Sequence, residues 1–486
     1  MKVHLVGVCG TGMGSLAMLF RAQGHEVSGS DAAFDPPMGP ALEAAGIRCL
    51  TGYAAENLDP APDLVVIGNA IRKDNPEATA VRERGLPQTS MSGAIREHFL
   101  PGRRPLVCAG THGKTTTSTM CAWILAKADL EPGYFIGGLP KDLPSGAALG
   151  GSKRRLTGPA AGARAPFVLE GDEYDAVYWQ KRPKFFDYVH VGTDDVVIVT
   201  SCEHDHVDIY PTRDAYEEQF AELFRRIPEG GLCVVDARDP VARSLAIAHA
   251  KARVVFYALE GDDTGTITPT WLGAPAGMDD GGMLPFDLFV GGASCGRFAL
   301  QVPGAHNVRN AVAAIAAASE AFGVPMATIR AALASFRGVR RRQDLLGTPG
   351  GVLVYDDFAH HPTAVDETLK ALRTKHRSGA LWAVFEPRSA TACRALHQDD
   401  YTRAFGAADR VLFAPLGRTN VPEAERLDLP RLASELGDKA RAAASVDEIV
   451  AILGREAKPG DVVALLSNGS FAGVHAKVLA ALDDRA

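Results

Sequence analysis

The sequence predicts an α/β protein of about three domains. Its 486 residues suffice, on a length prior, for roughly three domains with full cores. Short apolar strands alternate with helical patterns along the chain, the order that gives sheets covered by helices. Those strands repeatedly end in small, acidic or histidine residues, where open α/β sheets hold ligands. With 46% hydrophobic and 22% charged residues, the composition is that of a soluble globular protein. A formal net charge of −7 leaves no electrostatic footprint for nucleic acid, since Lys and Arg cluster only briefly, as at Lys153–Arg155 and Arg340–Arg342. No apolar run reaches membrane-spanning length. The N-terminus enters a strand directly, without the basic region and cleavage site of a signal peptide. Eight scattered cysteines suit buried thiols in a reducing compartment better than disulfides or a zinc site. The expectation is a cytoplasmic protein.

The first unit opens with a strand over residues 2–7 and the turn Gly7-Val-Cys-Gly10-Thr11-Gly12-Met13-Gly14, then a helix with Leu16, Leu19 and Phe20. A second strand ends at Ser30-Asp31. This is the layout of a dinucleotide-type βαβ unit, with backbone amides facing a diphosphate and an acidic residue near a ribose. Cys9 replaces the middle glycine, so a nicotinamide cofactor, a UDP-sugar and a structural turn remain comparable options on these residues alone. The strand Asp63–Ala70 ends in small polar residues around Asn69. Pro101–Pro105 reads as a linker, which closes a first domain at residues 1–103.

The second unit, 104–345, opens on a strand over Leu106–Ala109, the turn Gly110-Thr111-His112-Gly113-Lys114-Thr115-Thr116, and a helix with Met120, Trp123, Ile124 and Leu125. A strand entering a glycine-bearing Lys-Thr turn at a helix N-terminus is built to hold phosphates. Lys114 supplies a mobile charge and Thr115 a hydroxyl for the Mg²⁺ that accompanies a nucleoside triphosphate. The general pattern wants glycine where this chain has Cys108. Residues 137–166 read as a long surface excursion, and 141–165 have no assigned role. The next strand delivers Glu170-Gly-Asp172-Glu173-Tyr-Asp175, whose carboxylates repel one another unless cations or solvent intervene. Glu170 is the strongest candidate Mg²⁺ ligand among them. The apolar strand Asp195–Thr200 opens into Glu203-His204-Asp205-His206-Val-Asp208, suited to a metal or a proton-handling group. Pro303–Asn310 begins an Ala-rich helix running to about Ala321, which His306 or Asn307 could cap. One arginine of Arg340–Arg342 could reach a phosphate.

In the third unit, 346–486, the strand before Asp356-Asp357-Phe-Ala-His360-His361-Pro362 again ends in Asp and His. Two others end at Glu386-Pro-Arg388-Ser389 and Ser467-Asn468-Gly469. These ends should face a ligand.

Taken in order, Gly110–Thr117, Glu170–Glu173, Glu203–Asp208, Gly304–Asn310, Arg341-Arg342 and Asp356–Pro362 resemble the Mur ligase family of ATP-dependent amide-bond-forming enzymes of cell-wall synthesis. The resemblance covers the whole chain. It implies a Rossmann-like UDP-binding domain, a P-loop ATPase central domain and a Rossmann-like C-terminal domain. Carried over by position, it puts Lys114 on ATP phosphates, Thr115, Glu170 and His206 on Mg²⁺, and Asn307 at the adenine. Arg342 would meet the phosphates, with Asp357 and His360 at the nucleotide's edge. Lys114, Glu170 and His206 would form the catalytic set. Gly7, Gly10, Thr11, Gly12, Met13, Asp31 and Asn69 would bind UDP-N-acetylmuramate. Within the family, Asp35–Met38, Lys181–Phe185, Arg388-Ser389 and the Asn468 region resemble members that accept the tripeptide L-alanyl-γ-D-glutamyl-meso-diaminopimelate in peptidoglycan recycling. Ligation of L-alanine is the alternative. Thr200–Cys202 replaces an Asn-containing run of the family, and Phe220 stands where several members carry a modified lysine.

Overall fold

The computed structural model describes residues 1–36, 38–151, 164–418 and 420–483. Lys153–Arg155 and the middle of the 141–165 excursion lie outside these residues. Three large sheets organise the described residues, with a separate two-stranded hairpin at Asp175–Pro183. The first is fully parallel, with strands Arg48–Thr51, Glu26–Asp31, Lys2–Val6, Leu64–Ile67 and Gln88–Ser90 side by side in that order. Its order reverses beside Lys2–Val6, so the carboxyl ends of Lys2–Val6 and Leu64–Ile67 open on one crevice. Helix Thr11–Ala22 buries Leu16, Leu19 and Phe20 against this sheet, as its 3.6-residue spacing predicts.

Ten strands form the central sheet, parallel through the strands that carry the site and antiparallel at both edges. Strand Arg103–Ala109 lies between Val196–Val199 and Ala165–Glu170. Its side chains alternate: Val107 and Ala109 join one buried cluster, Leu106 and Cys108 another with Met120, Cys121 and Ile124. Covered on both faces, such strands read as continuous apolar runs. Arg103–Pro105 thus belong to the sheet and not to a linker. The described part of the excursion also differs from expectation. Ala147 and Ala148 pair with Phe135 and Tyr134, and Asp142 binds Arg337, so this stretch is tied to the domain.

The third sheet has six strands, parallel except for Asp344–Gly347 at one edge. The boundary expected at 345/346 falls inside that edge strand, so the third unit begins ahead of Asp344. Helix Pro362–Lys375 follows strand Leu353–Asp357, and the strands Leu381–Phe385 and Val462–Leu466 occur where the sequence places them.

Helix Met91–His98 fastens the first unit to the second. The Arg96 guanidinium donates to the carbonyls of Asp187, Val189 and His190 at 2.9–3.1 Å, and Ser92 donates to Asp187 at 2.6 Å. All eight cysteines are free. No helix among the described residues is long and apolar enough to cross a membrane.

Candidate active site

Cys108 is still strand, fully buried, and its missing glycine has a simple reason: the turn starts two residues later. Gly110, at φ +126°, makes the bend that only glycine takes without strain, and Gly113, at φ +80°, leads into helix Lys114–Lys127. Lys114 Nζ folds back over the loop, 2.6 Å from the Gly110 carbonyl and 3.3 Å from that of Thr111. It also lies 2.9 Å from Glu173. Burial works against the Lys114 charge, but Glu173 and Asp172 outweigh it and hold the ammonium above its usual range. Burial in turn pushes the Glu173 carboxyl up.

The acidic cluster is therefore not a solvated loop. Lysines serve as its cations: Asp172 pairs with Lys184 at 2.5 Å and Asp175 with Lys181 at 2.7 Å. Burial opposes the Asp172 charge, yet Lys184 and then Lys114 hold its carboxyl well below the usual range. Glu170 faces a threonine hydroxyl and a backbone amide. Thr115 Oγ1 donates to Glu170 Oε1 at 2.8 Å, and the Gly137 amide donates to Oε2 at 2.7 Å. Arg342 reaches the same Thr115 hydroxyl at 3.3 Å. It does so from a segment where Arg341 and Gln343 both hold left-handed backbone, φ +60° and +48°, a costly arrangement for non-glycine residues.

His206 also sits at positive φ, +54°, with its amide donating to Asp205 Oδ1 at 2.7 Å. Its ring packs 4.2 Å from that of Tyr174, and Nε2 is 3.9 Å from Glu173. Helix Ala305–Phe322 is preceded by Gly304, with no side-chain cap. His306 and Asn307 lie inside its first turn and do not cap it, and Asn307 donates to the Pro303 carbonyl at 2.7 Å. Asp357 accepts from the amides of Gln343 and Ala359, both at 2.7 Å, while burial pushes its carboxyl up against the pull of Arg342. Burial lowers the His360 imidazole.

These residues meet around one cavity of about 370 Å³. Its lining includes Thr111, His112, Gly113, Lys114, Thr115, Thr116, Glu170, His206, Asn307, Arg342, Asp357 and His360. Gly110 stays behind it, its carbonyl on Lys114. A second cavity of about 770 Å³ lies at the first sheet's crevice and is lined by Gly7, Gly10, Thr11, Gly12, Met13, Asp31 and Asn69. Asp31 is already engaged there. One oxygen accepts from the Cys9 amide at 2.8 Å, and the other from Tyr53 at 3.0 Å. The two cavities share Gly137, Glu170 and Asp172 as a common wall.

Arg388, Ser389 and Asn468 line neither cavity. They gather at neighbouring strand ends of the third sheet, where Ser467 binds Glu386 and Arg388 lies 3.6 Å from Glu386. Phe220 is wholly buried beside Phe185 and Tyr216. Sequence reasoning missed Glu173 as the partner of Lys114, and Lys184 and Tyr53 as lining of the larger cavity. Glu173 and Lys114 are 59 positions apart, so no local pattern links them. Tyr53 had one signal, its place just past the end of strand Arg48–Thr51.

Family models match the chain in three consecutive stretches: "Mur ligase family, catalytic domain" over residues 2–101, "Mur ligase middle domain" over 108–318, and "Mur ligase, glutamate ligase domain" over 341–469. The chain is 37% identical to the UDP-N-acetylmuramate--L-alanyl-gamma-D-glutamyl-meso-2,6-diaminoheptandioate ligase of Escherichia coli K12, covering 100% of this chain and 99% of that one. It is 35% identical to a UDP-N-acetylmuramate--L-alanine ligase of Roseiflexus, covering 96% of each. Among solved structures, a murein peptide ligase of Psychrobacter arcticus superposes with TM-score 0.72 at 34% identity, covering 100% of this chain and 99% of that one. A UDP-N-acetylmuramate-alanine ligase of Thermotoga maritima gives 0.77 at 22% identity, covering 100% of both. At that lower identity the likeness speaks for the fold alone.

Proposed function

The chain belongs to the Mur ligase family, and from that premise we propose that it uses ATP to join L-alanyl-γ-D-glutamyl-meso-diaminopimelate to UDP-N-acetylmuramate. The observation that carries the reading is the wall shared by two cavities. A phosphate-loop cavity and a glycine-loop cavity meet at Glu170 and Asp172, where a carboxylate from one side can approach a γ-phosphate from the other. We assign the unit before strand Arg103–Ala109 to UDP-N-acetylmuramate, the central unit that this strand opens to ATP, and the third unit to the peptide. A cytoplasmic location follows, since both substrates are cytoplasmic metabolites in this reading.

A carboxylate is a poor acyl donor and needs activation before an amine can displace oxygen from it. In the proposed reaction the lactyl carboxylate attacks the γ-phosphorus, giving an acyl phosphate and ADP, and the peptide amine then displaces phosphate. Lys114 would leave Glu173 for the transferring phosphoryl group, where positioning and charge dominate catalysis. Thr115, Glu170 and His206 would hold Mg²⁺; a hydroxyl already on a carboxylate, with an imidazole across the cavity, suits such an ion. The ion would neutralise charge on the phosphates. Arg342, aimed at Thr115 by its strained neighbours, would meet the same phosphates. Arg388, Ser389 and Asn468 would receive the peptide, the guanidinium facing a carboxylate.

Preference for the tripeptide over L-alanine rests on the greater likeness to tripeptide-joining relatives. The test is phosphate release from ATP with UDP-N-acetylmuramate and either the tripeptide or L-alanine. The tripeptide should support turnover and L-alanine should not; the reverse outcome would reassign the acceptor.

A further inference from the structure

A second group of ligand-type side chains stands at the seam between the central and third units. His112 Nε2 lies 2.9 Å from Glu203 Oε2, and His361 Nδ1 lies 3.5 Å from the same oxygen. One ligand atom from each of the three residues falls within 4.8 Å of the others. A tetrahedral zinc ion with bonds of about 2.0–2.1 Å sets its ligands roughly 3.3–3.4 Å apart, so small side-chain movements would bring these atoms onto one ion.

Backbone contacts hold each ligand in place. The Thr111 hydroxyl clips both the carbonyl and the amide of Glu203, at 2.8 and 2.9 Å. The His112 amide donates to Ser201 Oγ at 3.0 Å. His361 precedes Pro362, which keeps its backbone extended, φ −90° and ψ 146°. Thr363 donates to Glu203 Oε2 at 2.8 Å, an outer partner of the sort that orients metal-ligating carboxylates.

His361 supplies an independent observation. Its side chain is only 7% exposed, yet neither ring nitrogen has a hydrogen-bond partner. A buried imidazole without partners is costly, and an ion at Nδ1 would satisfy one of its two nitrogens. Two imidazoles beside one carboxylate make a nitrogen-rich donor set of the kind that suits zinc and its transition-metal neighbours.

We propose that His112, Glu203 and His361 form a site for a transition-metal ion of the zinc class that bridges the phosphate-loop unit and the third unit. Two ligands come from the central unit and the third from the turn before helix Pro362–Lys375, so the ion would staple the two units together. It is separate from the Mg²⁺ set of Thr115, Glu170 and His206, and it does not depend on which acceptor the enzyme uses.

The test uses the full chain, freed of metal by chelator, dialysed against Zn(II) or Co(II) with Mg²⁺ in excess. Bound metal is measured per chain, and the visible absorption of Co(II) reports its ligand geometry. Wild-type protein should bind one equivalent with a four-coordinate Co(II) spectrum. Loss even of an outer partner weakens sites tenfold or more, so His361→Gln and Glu203→Gln should each weaken binding at least about tenfold. Thr363→Ala should weaken it less, and His206→Ala should leave it intact. Circular dichroism checks that each variant is folded; should His361→Gln unfold, Glu203→Gln and Thr363→Ala decide. No bound equivalent, unchanged affinity in these variants, or loss of the ion in His206→Ala would overturn the proposal.

Discussion

Lys114 meets two carbonyls and a carboxylate in the resting protein, so the phosphate it is proposed to serve must take it from Glu173. Removing its charge should lower turnover at least about a hundredfold if it stabilises the transferring phosphoryl group. Steady-state phosphate release by Lys114→Ala measures this, and near-normal turnover would remove the assignment. Glu77 plays a structural part of the same kind in the first unit. Wholly buried, it accepts from Ser30 at 2.5 Å and Asn57 at 2.5 Å and contacts His4 at 3.3 Å. Burial alone would raise its carboxyl, but these partners outweigh that and lower it. A lowered carboxyl stabilises the fold fully above its unfolded value of about 4.3, and the contribution fades as pH falls through the lower folded value. Glu77→Gln should therefore cost about 1–3 kcal/mol near neutrality and flatten the acid limb of stability against pH. Thermal unfolding of both proteins between pH 3 and 7 would show it.

At the scale of elements, the turn after strand Arg103–Ala109 was legible in the sequence because glycine, lysine and threonine stand in order between an apolar strand and an apolar helix. The departure at Cys108 looked like a defect in the motif and is a property of the strand, whose alternation carries one residue beyond it to Ala109. Gly110 bears the turn instead. A Cβ there would lie 2.8 Å from the Ser201 nitrogen and 2.9 Å from its oxygen, and would strike the Thr200 hydroxyl, at φ +126°. Gly110→Ala should destabilise the chain by about 1–3 kcal/mol and weaken nucleotide binding, as thermal shifts with and without ATP would show. The acidic run after strand Ala165–Glu170 was harder to read. Its charges are balanced by Lys114, Lys181 and Lys184, and the choice among them depends on where the hairpin Asp175–Pro183 folds back. The capping role considered for His306 and Asn307 failed because the helix starts at Ala305, after Gly304, two or three residues earlier than such a cap requires. Sequence shows that such residues sit near a helix start but leaves the start uncertain by a residue or two.

Across the whole molecule, the alternation of strands and helices announced three sheets, and the motifs announced which strand ends matter. What the sequence could not announce was adjacency between units: the seam of His112, Glu203 and His361, or the meeting of two cavities at Gly137, Glu170 and Asp172. That shared wall has a consequence for how the two substrates bind. A carboxylate that reaches the shared wall meets two acidic side chains, Glu170 and Asp172, of which Lys184 pairs with Asp172. A divalent ion arriving with nucleotide at Glu170 would remove much of the repulsion, so the second substrate should bind more tightly once the first is seated. Linkage makes that preference mutual. Calorimetric titration of UDP-N-acetylmuramate with and without a non-hydrolysable ATP analogue and Mg²⁺ should show coupling of about 1–3 kcal/mol, and independent affinities would refute it. A partition that belongs to both chambers would thus make each occupant a condition for the other's tight hold, whichever arrives first.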